Sequence, residues 1–122
     1  MPPSDAGSRN APLLEISNEL TRLYKEQFGR GPTKVRTDWA GPDALICTLR
    51  DSLTPAERNL AAMGEHQRLR DSRLFFQHAT EPLFVEAVER AIGREVEAFI
   101  SGMDTRQDVS AEIFYFKPQE DT

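Results

Sequence analysis

The sequence predicts an α+β domain: a four-stranded, largely antiparallel sheet with helices on one face, in the element order αββααββ. Three observations predict it. An apolar period of helical spacing runs from Leu13 to Phe28, and two pairs of short alternating segments lie at 34–50 and 94–117. Between those pairs the chain returns to helical spacing behind a strong capping signal.

In the first segment Leu13, Ile16, Leu20, Leu23, Tyr24 and Phe28 share one face, while Glu15, Glu19, Arg22, Lys25 and Glu26 fill the others. Asn10 or a neighbour is placed to cap this helix, Pro12 fits its first turn, and Gly29 supplies the left-handed residue that ends it. Lys34 to Ala40 then alternates, with Val35, Thr37 and Trp39 on one side and Lys34, Arg36 and Asp38 on the other. Gly41-Pro42-Asp43 is turn chemistry, so Ala44 to Arg50 closes a hairpin. The lone Cys47 shares a strand face with Leu45 and Leu49 and reads as a small core thiol.

Thr54-Pro55-Ala56-Glu57 combines a hydroxyl cap, a proline at the first helical position and a Glu that can return the hydrogen bond. The helix it starts is short, since Gly64 offers a stop. A second helix from Glu65 to Thr80 carries Leu69, Phe75, Phe76 and Ala79 opposite a polar side with Arg68, Arg70 and Arg73. A break or strong bend is expected at Glu81-Pro82, with helical spacing resuming through Leu83, Val85, Val88 and Ile92 to Gly93. Arg94 to Ile100 reads as a strand, Ser101 to Asp108 as a polar loop, and Val109 to Lys117 as the last strand.

That last strand is apolar on both faces, with Ala111, Ile113 and Tyr115 on one and Phe114 and Phe116 on the other. Both faces then need cover. Phe99, Phe114 and Phe116 are accordingly the expected contact residues of a homodimer; cover by the first helix is the alternative.

At 122 residues, with 39% hydrophobic and 29% charged, the chain suits one globular domain with one core. Residues 1–11 read as a disordered tail, 12–117 as the domain and 118–122 as a polar tail. One cysteine excludes an internal disulfide framework, and no apolar run is long enough to span a bilayer or to serve as a signal peptide, which gives a cytoplasmic reading. The net charge of −5 is uneven: −1 over 1–29, +2 over 30–73 and −6 over 74–122. Nucleic-acid binding is therefore not expected, since the acidic half repels a phosphate polymer.

A local anion site is a separate matter. The run Gly29-Arg30-Gly31-Pro32-Thr33-Lys34 has the wrong spacing for a nucleotide-binding P-loop and follows a helix instead of preceding one. Its side chains still suit a small anion or nucleotide, held by Arg30, Lys34 and Arg36 with Arg73. His66 and His78 stand too far apart on one helix to share a metal, Asp104 and Asp108 lack the partners of a calcium loop, and no nucleophile elbow or acid–base pair is set aside. The chain is read as non-enzymatic, without metal or cofactor. A KH-like RNA-binding reading is weaker still, because Met63-Gly64-Glu65-His66 lacks the Gly-x-x-Gly clamp.

The motifs Ile16-Ser17-Asn18-Glu19-Leu20, Leu23-Tyr24-Lys25, Phe28 to Lys34 and Leu53-Thr54-Pro55-Ala56-Glu57 occur here in that order. They are joined by Arg73 with Phe76-Gln77 and by Gly93-Arg94-x-Val96-x-Ala98-Phe99. In these the chain resembles the bacterial MpsC-like family, formerly a domain of unknown function, over about residues 13 to 117. The resemblance implies an accessory or regulatory component of a sodium-translocating, membrane-potential-generating system. It implies a membrane-associated partner and carries no catalytic residues.

Overall fold

The computed structural model describes residues 4–119, with side chains from Arg9 onward. The elements run α1 (Ser4–Phe28), β1 (Lys34–Trp39), β2 (Ala44–Arg50), α2 (Pro55–Ala62), α3 (His66–Ile92), β3 (Val96–Asp104) and β4 (Val109–Phe116). The αββααββ order and the α+β class are as the sequence predicts. The sheet order is β1-β2-β4-β3 and every neighbouring pair is antiparallel. Two local hairpins are thus joined through the β2–β4 seam.

The helices pack on one face. Ile16, Leu20, Leu23 and Tyr24 from α1 and Phe84, Ala87 and Val88 from α3 meet Leu45, Cys47 and Leu49 of β2 and Phe114 and Phe116 of β4. The expectation that Phe114 and Phe116 form a dimer contact is corrected here: they are 0% and 1% exposed, beneath the helices. Phe99 also packs against this core, its ring 5.0 Å from that of Phe114 and 6.2 Å from Phe84. Cover by a helix, the alternative for these aromatics, is what the fold supplies.

Three element boundaries also differ from expectation. α1 begins at Ser4, so Pro12 lies inside it and much of the expected tail is helical. The early turns are tied to the first hairpin: Trp39 Nε1 donates to the Arg9 carbonyl (2.9 Å), and the Arg9 guanidinium lies over the Trp39 ring. The other tail positions, 1–3 and 120–122, lie outside the described residues. α3 runs through Pro82 without a break. Its buried residues Leu69, Arg73, Gln77, Thr80, Phe84, Ala87 and Val88 form one stripe, and packing along its length outweighs the roughly 3 kcal/mol that an internal proline costs. β3 extends to Asp104 because Ser101, Gly102 and Met103 pair with Glu112, Ala111 and Ser110, leaving only a tight turn where a long loop is predicted.

The local signals behave as their chemistry requires. Thr54 and Glu57 form the reciprocal capping box of α2, and Gly29, at φ +79°, ends α1 with its N–H donated to the Lys25 carbonyl (2.8 Å).

Candidate functional site

Two polar assemblies and one apolar surface are the places where this fold can act. The first assembly is at the end of the sheet where β1 starts and β2 stops. Its hub is Asp51, whose carboxylate accepts from Arg30 (3.0 Å), Thr33 (3.0 Å) and Arg58. These bonds, that of Arg30 first, hold the carboxyl below the ordinary aspartate range. Arg30 also donates to the carbonyls of Asp51 (2.5 Å) and Leu53 (3.1 Å). Asp108, in the β3–β4 turn, accepts from the backbone N–H groups of Ser52 (2.9 Å) and Leu53 (3.2 Å). Three loops and α2 are thereby knotted at one point.

The four predicted anion-binding residues are not brought together. Arg30 is spent on the knot. Arg36 stands on the open face of β1, paired with Asp38 (2.9 Å). Arg73 is 2% exposed and its guanidinium is bonded to Glu57 (2.6 and 2.7 Å) and to the Ser52 carbonyl (2.9 Å), over the Phe28 ring. Lys34 alone faces solvent without an ion-pair partner among the described residues. Beside it the sheet places Arg50, directly opposite in the β1–β2 register, and a depression lined also by Arg58 and Arg106. Arg50, Arg58 and Arg106 escaped the sequence reading because only the sheet order brings their segments together.

The second assembly is inside the core. Glu112 of β4 is fully buried, accepting from Tyr24 (2.5 Å) and from Gln77 of α3 (2.9 Å). Burial pushes its carboxyl up to about 7, against the hydroxyls of Tyr24 and Ser101 and the charge of Arg73, which favour the ionised form. Burial, then the neighbouring Glu112 carboxylate, holds the Tyr24 phenol well above its ordinary value. Glu57 of α2, bonded to Arg73 one turn before Gln77 on α3, has the opposite fate. Partial burial pushes it up, but hydrogen bonds from Arg73 and Thr54 outweigh that and leave it below the usual range. The signal for Glu112 was legible: it shares a period-2 face with Phe114 and Phe116. Cys47 is buried and its thiol is pushed up to about 12, mainly by burial, so it is a protonated core residue and no nucleophile. His66 bonds Thr105 (2.7 Å), and no group of His, Cys, Asp and Glu among the described residues could hold a metal ion.

The apolar surface is the open face of the sheet. Ile46 on β2, Ile113 on β4 and Ile100 on β3 stand in one cross-strand row, flanked by Tyr115 and Ala98 in the next. Ile100 is 52% exposed and Tyr115 39%. On the other layer, of the apolar face expected from Leu69, Phe75, Phe76 and Ala79, α3 buries Leu69 but exposes Phe75, as it does Leu83, and turns Arg73, Gln77 and Thr80 inward.

The family described as "Na+-translocating membrane potential-generating system (MpsC)" matches residues 12–118. The chain belongs to the MpsC family. The MpsC match takes in both polar assemblies and the whole sheet, so none of these features lies on an appendage. No curated protein and no solved structure matches the chain. Among the described residues of this MpsC member no helix is long and apolar enough to cross a membrane.

Proposed function

We propose that this MpsC chain is a non-enzymatic accessory or regulatory protein that works as a homodimer and binds a membrane-associated partner. The observation that carries the reading is the isoleucine row on the open sheet face. A sheet with one face uncovered ordinarily alternates apolar inward and polar outward. Here the outward residues Ile46, Ile113 and Ile100, side by side on three adjacent strands, are apolar.

The row also favours a second copy as occupant. It is symmetric about β4, with Ile46 on one side and Ile100 on the other. A two-fold axis along β4 sets Ile113 against Ile113 and Ile100 against Ile46 of the second copy, the self-complementarity that an isologous contact needs. The membrane-associated partner follows from the family description, and Phe75 and Leu83 on the far side of α3 leave it a separate apolar surface.

Sedimentation equilibrium tests the reading. The wild-type chain is expected to be a dimer and Ile113→Asp a folded monomer. A wild-type monomer at high concentration, or a dimer indifferent to the substitution, overturns the proposed interface.

A further inference from the structure

We propose that the end of the sheet where Lys34, Arg50, Arg58 and Arg106 converge binds a polyvalent phosphate group. The four cations come from β1, β2, α2 and the β3–β4 turn and border a depression of about 510 Å³, with Gln107 as an added amide donor. Lys34 and Arg50 are exact register partners on the edge pair of the sheet. Like charges placed opposite each other destabilise a strand pair. Among the described residues no carboxylate oxygen lies within 4.0 Å of the charged nitrogens of Lys34, Arg50 or Arg106.

The carboxylates that border the depression are already committed. Asp51 serves Arg30, Thr33 and Arg58, and Asp108 serves two backbone N–H groups while standing 3.8 Å from Arg58. A chain of net charge −5 therefore concentrates three unpaired cations at one point. The backbone under them is held firmly. Asp51 and Asp108, at φ 60° and 54°, are the non-glycine residues of positive φ among the described residues, and the Asp51 N–H donates to the Asp108 carbonyl (3.0 Å). Residues in this conformation persist where the surroundings over-determine them, and they cluster at binding sites.

The number of cations selects the ligand class. A carboxylate would balance one of the three, whereas a phosphate or diphosphate offers several charges and the oxygen geometry that guanidinium forks match. The same chemistry is presented by a soluble phosphate ester and by a lipid phosphomonoester headgroup. The site shares β2 with the proposed dimer contact, whose centre is Ile113 on β4.

Inorganic pyrophosphate, titrated calorimetrically at low ionic strength against an equal ionic strength of chloride, tests the soluble arm. Cosedimentation with phosphatidylcholine vesicles, with and without phosphatidic acid, tests the lipid arm. Lys34 and Arg50 are exposed and make no side-chain hydrogen bond among the described residues, so Lys34→Ala/Arg50→Ala is expected to fold and to raise the melting temperature of the free chain. That variant should lose at least about tenfold in affinity, while Arg68→Ala, remote on α3, should lose none. Pyrophosphate binding lost in the double variant supports the site with a soluble ligand. Binding only to phosphatidic acid vesicles, lost in the same variant, supports it with a lipid headgroup. Absence of both, or binding that the double substitution leaves intact, overturns it.

Discussion

Each face of the sheet carries some of the chemistry expected of the other. The face beneath the helices holds Glu112, Ser110 and Thr37 among its aromatics, and α3 lowers Arg73, Gln77 and Thr80 onto it. The face without helices holds Ile46, Ile100 and Ile113. Thr37 bonds Ser17 (2.7 Å) and one Glu112 oxygen accepts from Tyr24 and Gln77, while Ser110 Oγ and the other Glu112 oxygen have no partner among the described residues, so these groups specify one packing more than they add stability. The uncovered apolar groups have no such cover among the described residues, and the proposed association would supply it.

Phe114 and Ile113, neighbours in β4 that point to opposite faces, give the sharpest way to break this contrast. Phe114→Ala should cost about 3–5 kcal/mol in chemical denaturation, the usual range for a large core aromatic. Ile113→Asp should leave the monomer's denaturation midpoint nearly unchanged and act on the sedimentation profile alone. If both substitutions unfold the chain equally, the two faces do not differ in the way described. Arg73→Met comes next: it strands a partly buried Glu57 carboxylate and should cost about 3 kcal/mol at neutral pH. Protonating Glu57 in acid should recover part of that loss, which a purely steric role would not predict.

Glu112 sharpens the contrast through pH. Its carboxyl is held near 7 in the folded chain and falls to an ordinary glutamate value on unfolding. The folded state therefore binds more protons between about pH 4.5 and 7, and this group's contribution to stability declines as pH rises through that window. Glu112→Gln keeps the acceptor for Tyr24 and Gln77 and should flatten the decline, gaining on the order of 3 kcal/mol relative to wild type at pH 8. Equal pH slopes in the two proteins would rule out ionisation of this core group. The smallest effect is local: Thr54→Ala removes one half of the capping box and should cost about 1 kcal/mol.

Much of this fold is legible in the sequence because its signals are local. The capping box at Thr54, the left-handed Gly29 and Gly93, and the alternation in four strands each need only a few neighbouring residues. What is not legible is relational. Alternation shows that Ile113 and Phe114 oppose each other, but which of them the helices cover depends on where α1 and α3 land. Pro82 looks like a helix break until the buried stripe on both sides of it is known. The candidate anion site follows the same rule. Lys34 and Arg36 were visible beside the glycines, yet Arg36 turns to Asp38, and the companions of Lys34 arrive from β2, α2 and the last turn. Arg73, grouped by its charge with a surface basic side, is instead the buried counterion of Glu57.

The strand order β1-β2-β4-β3 also sets how the chain must find its structure. Each hairpin forms between neighbours in sequence, but the seam that unites them pairs Arg50 with Val109, about 60 residues apart, and everything in α2, α3 and β3 lies within that closure. The rate of folding should therefore be governed by the moment at which Leu45 and Phe114 meet, and substitutions along the seam should slow refolding. Weakening the cap at Thr54, outside the seam, should mainly hasten unfolding. Until the seam closes, the outward isoleucines of each hairpin belong to separate ribbons, so the symmetric row that a second copy would recognise exists only on a finished monomer.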